Sequence, residues 1–339
     1  MLEKPDLKDE KIITCLKNEY GLSVDKIAFL PLGADLNTAV YRAVTDDETP
    51  YFVKLRRGDF DNTAVAVPKF LSDLGIKQII PSLITQTGQL WASLDSFKVI
   101  LYPFVEGHDG FEVNLSDQQW IEFGTALKSF HTADVPSAIT SSIGREIFSP
   151  QWREIVKVFF ERIENETFDE PVAVEMAAFL KTKRDETLEL VKRTERLALA
   201  LHAQLPEFIL CHADIHAWNL LIDVNDALYM VDWDTLIFAP KERDLMFVGG
   251  GLGGNGHTPQ EEEILFYQGY GQTQINPIAM AYYRYERIIE DIAVYCEQIF
   301  LSDDGGEDRE QSLEYLKSNF LPNCTIEIAC QSDKILRDD

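Results

Sequence analysis

The sequence predicts an α+β, bilobal fold with a small antiparallel-sheet N-terminal lobe and a larger, mainly helical C-terminal lobe. Three observations predict it. Up to about residue 102 the apolar residues come in short stretches separated by turn signals. After Pro103 they recur at helical spacing over long segments. Between residues 207 and 231 a strand, a loop and a hairpin interrupt those helices. A chain of 339 residues is long enough for a sizeable core and two lobes. The boundaries read as 1–102 for the first lobe, 103–107 for a hinge and 108–339 for the second.

In chain order, residues 7–20 carry Ile12, Ile13, Leu16 and Tyr20 at helical spacing, and Gly21 ends the helix. Extended segments follow at 26–30, 39–44 and 51–55, with Asp46 to Pro50 as the turn between the last two. A helix is expected at 62–74, where Pro68 should kink it. Further strands end at 97–102. Ser116 and Gln119 form a capping box for a helix carrying Trp120, Phe123, Leu127 and Phe130 on one face. Helices are also expected at 150–165, 171–202, 260–270 and 278–301. There are no internal repeats or low-complexity tracts.

Charge narrows the partners. Asp plus Glu number 57 against 31 Lys plus Arg, a formal charge of −26. That argues against nucleic acid and anionic membrane as main partners and favours a cationic substrate, although acidic surfaces also serve solubility alone. Five scattered cysteines suggest reduced thiols. The charged start is unlike a signal peptide, and no apolar run approaches the ~18 residues of a bilayer span. A cytoplasmic chain is expected; nothing in the sequence sets its oligomeric state.

The chemistry concentrates in His212-Ala213-Asp214-Ile215-His216-Ala217-Trp218-Asn219 and in Asp232, 18 residues beyond Asp214. An H-x-D-x-x-x-x-N run with a later Asp is the layout of a phosphoryl-transfer site: one carboxylate for the acceptor's proton, an amide and a second carboxylate for metal. Residues 207–211 read as a strand entering the loop, and 219–222 and 227–231 as a hairpin around Asp223 to Asp226. His212 reads as a brace. A zinc cluster of Cys211, His212, Asp214 and His216 is the competing interpretation, but no second ligand pair stands at a fitting spacing.

The front half supplies what such a loop needs. Lys54 alternates inward on the strand 51–55, where its ammonium would offset nucleotide phosphate charge. Gly33, Asn37 and Thr38 lie in the preceding turn, where backbone and side chain can approach phosphate, although a lone hairpin Gly is ordinary turn chemistry. Tyr102, Pro103, Phe104 and Val105 stand where strand gives way to helix, placed to read an adenine edge or to act as a plain connector.

This ordered set resembles the aminoglycoside phosphotransferase and choline kinase superfamily, with its protein-kinase-like fold, over nearly the whole chain. Segments beginning at Trp152, Ala239 and Glu286 look most like its spectinomycin-phosphorylating branch. The resemblance implies Asp214 as catalytic base, Asn219 and Asp232 as Mg²⁺ ligands and Lys54 as the phosphate contact. It also implies Tyr102 to Val105 as the nucleotide hinge, and ATP or GTP as donor. Asp234, Glu286, Glu290 and Asp291 are candidate contacts for substrate cations; a solvated helix face paired with Arg284 and Arg287 is the alternative for those on the last long helix. Tyr282, Tyr283, Tyr285 and Tyr295 are candidates for a ring pocket or for packing.

The helix at 62–74 departs from the family in lacking the Glu that such kinases pair with the strand Lys; Asp61 is the nearest substitute. A metabolite kinase acting on a small alcohol, and a catalytically silent kinase-shaped binding protein, remain the rival functions. A protein kinase is disfavoured, because no Asp-Phe-Gly and Ala-Pro-Glu pair follows Asp232.

Overall fold

The structure, a computed structural model, describes residues 4–32, 37–58, 60–249, 256–301, 306–322 and 324–334. The chain divides into two compact units. The first comprises residues 1–143 and 217–236, and the second residues 144–216 and 237–339.

The first unit begins with α1 (Asp9–Tyr20), closed by Gly21 in the left-handed region, φ 72°. There the Gly21 N–H donates to Lys17 and the Leu22 N–H to Leu16, satisfying the last helical carbonyls. A five-stranded antiparallel sheet follows: β1 (Val24–Leu30), β2 (Thr38–Thr45), β3 (Pro50–Arg57), β4 (Ala92–Leu94) and β5 (Phe97–Pro103), in the order β1-β2-β3-β5-β4. α2 (Thr63–Asp73) lies between β3 and β4 in sequence and runs through Pro68 without interruption.

Strand alternation sorts the sheet's two faces. Tyr41, Ala43, Val53, Leu55, Val99 and Leu101 are buried in one cluster with Ile12, Cys15 and Leu16 of α1. Lys54 points the other way, opposite Val40 on β2 and Ile100 on β5. The same register sets Arg56 opposite Thr38.

Past β5 the chain forms β6 (Gly107–Asp109), which pairs with β8 (Leu220–Asp223), itself paired with β9 (Leu228–Met230). Gly107 is required there: a Cβ on it would stand 2.1 Å from the Ile222 carbonyl oxygen. α3 (Asp117–His131) starts with the expected Ser116–Gln119 capping box, and α4 (Ser137–Thr140) is a single turn.

The second unit is helical. α5 (Gln151–Asn165), α6 (Pro171–Ala203), α10 (Gly306–Ser318) and α11 (Thr325–Lys334) all pack on α9 (Pro277–Phe300). A two-stranded sheet pairs β7 (Ile209–Cys211) with β10 (Ile237–Ala239), followed by α7 (Glu242–Leu245) and α8 (Pro259–Tyr270). Tyr282, Tyr283 and Tyr285 of α9 are buried, and Tyr282 meets Phe148 edge-on at 5.3 Å between ring centroids, so these rings are core. An antiparallel-sheet N-terminal region and a mainly helical C-terminal region are what the hydrophobic pattern predicts. α10, α11, β6 and β10 were not evident from it. No helix among the described residues is long and apolar enough to cross a membrane.

Candidate active site

The first unit gathers one cluster around Lys54. Its Nζ donates to Asp232 Oδ1 at 2.7 Å and to Asp234 Oδ2 at 2.8 Å. Burial works against the ammonium's charge, but the two carboxylates outweigh it and hold Lys54 above its ordinary value. Asp232 follows the β9 end of the hairpin, where the Val231 N–H donates to the Asn219 carbonyl at 3.0 Å. That bond places Asn219 and Asp232 at the same end of the hairpin. Asp232 adopts φ 63°, a conformation rare for a residue with a Cβ and common at functional turns.

Trp233 sets the direction of its neighbours. It is buried, donates Nε1–H to the Met230 carbonyl at 3.1 Å and meets Phe130 edge-on at 5.1 Å. With the indole turned inward, the flanking Asp232 and Asp234 both reach Lys54. Asp61 does not serve as its partner. Its Oδ1 accepts the Thr63 N–H at 2.9 Å at the start of α2 and the Ser142 hydroxyl at 3.2 Å.

The turn and hinge residues fall as follows. Gly33 lies outside the described residues. Asn37 is exposed, and Thr38 Oγ1 accepts from Arg56 Nη1 at 2.7 Å. Tyr102 and Pro103 complete β5 opposite Phe52 and Tyr51. Phe104 and Val105 are half-buried, and the Arg42 guanidinium lies 5.1 Å from the Phe104 ring centroid.

The second unit builds the Asp214 environment. Here Asp244 of α7 is fully buried and accepts two backbone donors of the loop, His212 N–H at 2.9 Å and Ala213 N–H at 2.6 Å. Ala213 sits at φ 71° between them. His212 is buried and accepts the Asp214 N–H on Nδ1 at 3.3 Å, a brace for the loop. A zinc cluster is a poor account of these residues, since His212 Nδ1 is spent on its own loop.

Asp214 has two partners. Arg287 Nη1 of α9 bonds its Oδ1, and His216 Nε2 lies 3.4 Å from its Oδ2. Burial opposes the carboxylate's charge, but Arg287 and His216 prevail and hold it well below the usual carboxylate range. Arg287 also donates Nε–H to Asp291 Oδ1 at 3.0 Å, and burial raises Asp291 in spite of that bond. Glu290 lies 3.7 Å from Arg243.

Glu286 is placed differently. It is buried, takes Arg153 Nη1 at 2.6 Å, and is pushed by burial up to about 7 although Arg153 opposes the shift. It braces α5 against α9. The four acids read from the sequence as substrate contacts therefore separate: Asp234 goes to Lys54, Glu286 to Arg153, and Glu290 and Asp291 remain near Asp214 through Arg287.

Sequence reasoning missed Arg56 beside Lys54 in the first unit and, in the second, Asp244 and the bond of Arg287 to Asp214. Each acts across a long stretch of chain, and only the Ala239–Phe247 segment, singled out for resemblance, hinted at Asp244.

Comparison with known proteins decides the family. The family described as "Phosphotransferase enzyme family" matches residues 28–284. The chain belongs to this family. This phosphotransferase is an enzyme that transfers phosphate to a hydroxyl group. It is similar, at 36% identity and TM-score 0.90, to the crystal structure of spectinomycin phosphotransferase APH(9)-Ia in complex with ADP and spectinomycin. That match covers 97% of this chain and 99% of the other. The AMP-bound complex of the same phosphotransferase matches at 35% identity and TM-score 0.86, over 97% of this chain and 100% of that one. An aminoglycoside phosphotransferase from Alicyclobacillus acidocaldarius subsp. acidocaldarius shares the fold at 12% identity and TM-score 0.60, covering 99% and 97% of the two chains. A search of curated protein sequences returned no match.

Proposed function

We propose that this phosphotransferase moves the γ-phosphate of ATP to a hydroxyl of a cationic aminocyclitol, with spectinomycin as the first candidate. The observation that carries the substrate is the 36% identity, over nearly the full length of both chains, to a phosphotransferase solved with spectinomycin. Functionally we divide the chain into a nucleotide-binding lobe (1–102), a hinge (103–107) and a catalytic lobe (108–339). The likeness to an ADP complex and an AMP complex supports nucleotide use.

Asn219 and Asp232 would hold Mg²⁺. They offer only oxygen donors, which suit a hard cation, and Asp232 already faces a cationic group in Lys54. Bound there, Mg²⁺ would offset the negative charge of the nucleotide phosphates. Lys54 contributes a fixed positive charge for the phosphates, and the backbone from Tyr102 to Val105, with Asn37 and Thr38, would frame the nucleotide. Asp214 orients the acceptor hydroxyl and takes its proton, a role worth roughly 10² to 10⁴ in rate. Glu290 and Asp291 would meet the substrate's ammonium groups, which compete with the Arg287 guanidinium for carboxylate.

A coupled ADP assay with Mg²⁺ and ATP tests the reading. Turnover should rise with spectinomycin, and mass spectrometry should find the acceptor heavier by one phosphoryl group. Asp214→Ala should fold normally and lose about 10²-fold or more. Stimulation by ethanolamine-like alcohols but not by spectinomycin or other aminoglycosides would move the enzyme to metabolite kinases.

A further inference from the structure

We propose that Asp234 is the permanent counter-ion of Lys54, a positioning residue standing in for the glutamate that α2 lacks, with Arg56 holding Asp234 from the same face of β3. The proposal rests on the phosphotransferase roles given above to Lys54 and Asp232.

A strand lysine that must meet phosphates needs something to hold its four-carbon stem in place. α2 carries no Glu, and Asp61 is committed to the start of that helix. Lys54 instead meets two carboxylates that differ in access. The Asp232 side chain is 49% exposed and the Asp234 side chain 19%. The open carboxylate is the one available to a metal; the sheltered one is suited to stay with Lys54.

Asp234 is held by more than Lys54. Arg56 lies two residues along β3 and therefore on the same face. Its Nη1 donates to Thr38 Oγ1 at 2.7 Å, across the β2–β3 register, and lies 3.4 Å from Asp234 Oδ2. That is the same oxygen that Lys54 Nζ meets at 2.8 Å. Two cations thus converge on one carboxylate oxygen, and buried Trp233 fixes the backbone from which it projects.

A substrate ammonium would have to displace both cations to reach Asp234, so the acid belongs to the nucleotide side of the reaction.

The test is calorimetric titration of the full-length protein with ATP in the presence of Mg²⁺, alongside steady-state kinetics. Asp234→Asn should weaken ATP binding about tenfold, the loss of one charge-assisted hydrogen bond, with acceptor KM within twofold of wild type. Asp234→Glu should recover most of the affinity. In a Lys54→Met background, Asp234→Asn should add no more than about a twofold loss, because residues acting through one another are not additive. Full, independent losses in the double variant, unchanged ATP affinity in Asp234→Asn, or a change confined to acceptor KM would each overturn the proposal. Should Asp234→Asn fail to fold, Arg56→Met decides: weakened ATP binding with unchanged acceptor KM supports the proposal, and wild-type affinity refutes it. A wild-type protein that binds no Mg²⁺–ATP would instead remove the roles assigned to Lys54 and Asp232, and this proposal with them.

Discussion

Replacing Arg287 with Gln should move the acid limb of the pH–rate profile upward. In the wild type, Asp214 Oδ1 takes the guanidinium and Oδ2 lies 3.4 Å from His216. The two side chains are 22% (Asp214) and 28% (Arg287) exposed, so water screens the pair without surrounding it. Two unit charges about 4 Å apart at an effective dielectric of about 20 interact by about 4 kcal/mol. Solvent screening reduces that, and a charge-assisted hydrogen bond is worth about 1.5–3 kcal/mol. At about 1.4 kcal/mol per pH unit this corresponds to a rise of about 1–2 units in Asp214.

The sign follows from the depressed carboxylate. Its stabilisation is present above the ordinary value of 3.8 and is lost only as pH falls below it. The wild type therefore shows no acid limb from Asp214 above about pH 4. Without Arg287, burial favours the neutral carboxyl with only His216 opposing, and the carboxyl should rise by those about 1–2 units. The neighbouring Glu290, Asp291, Tyr295 and Arg243 stay in place and do not supply the lost cation. The check is an NMR titration of the Asp214 carboxyl in both proteins, beside kcat/KM over the pH range in which both stay folded. Superimposable profiles would show that Arg287 does not control Asp214.

Asp244→Ala leaves two buried backbone N–H groups without their acceptor and should cost about 2–5 kcal/mol. At about 2–4 °C per kcal/mol, calorimetry should show melting lowered by roughly 5–15 °C, and a loss under 2 °C would contradict the bracing role. Gly107→Ala forces β6 away from the Ile222 carbonyl and should destabilise by about 1–3 kcal/mol in urea titration; an unchanged midpoint would mean the strands separate freely.

The legible features were local ones. Helical spacing marked α3, α5, α6 and α9, and the Ser116–Gln119 box located the start of α3 to the residue. The spacing of Asn219 and Asp232 corresponds to a hairpin, in which the Val231 N–H bonds the Asn219 carbonyl. What escaped depends on packing between distant segments. Arg287 stands 73 residues beyond Asp214, and nothing about an Arg on an acidic helix distinguishes a clamp on a loop carboxylate from a surface pair. The surroundings of Asp234 were hidden for the same reason: only the β3 register shows that Lys54 and Arg56 both approach it. Glu286 shares its helical face with Glu290, but burial against Arg153 separates their fates.

Lys54 takes its carboxylate partners from beyond a hairpin, rather than from the neighbouring helix α2. Regulated kinases can be silenced by swinging an acid-bearing helix away from the strand lysine. Here Lys54 meets its carboxylates from the hairpin, so such a lever would find nothing to pull on, and α2 carries a proline in its interior.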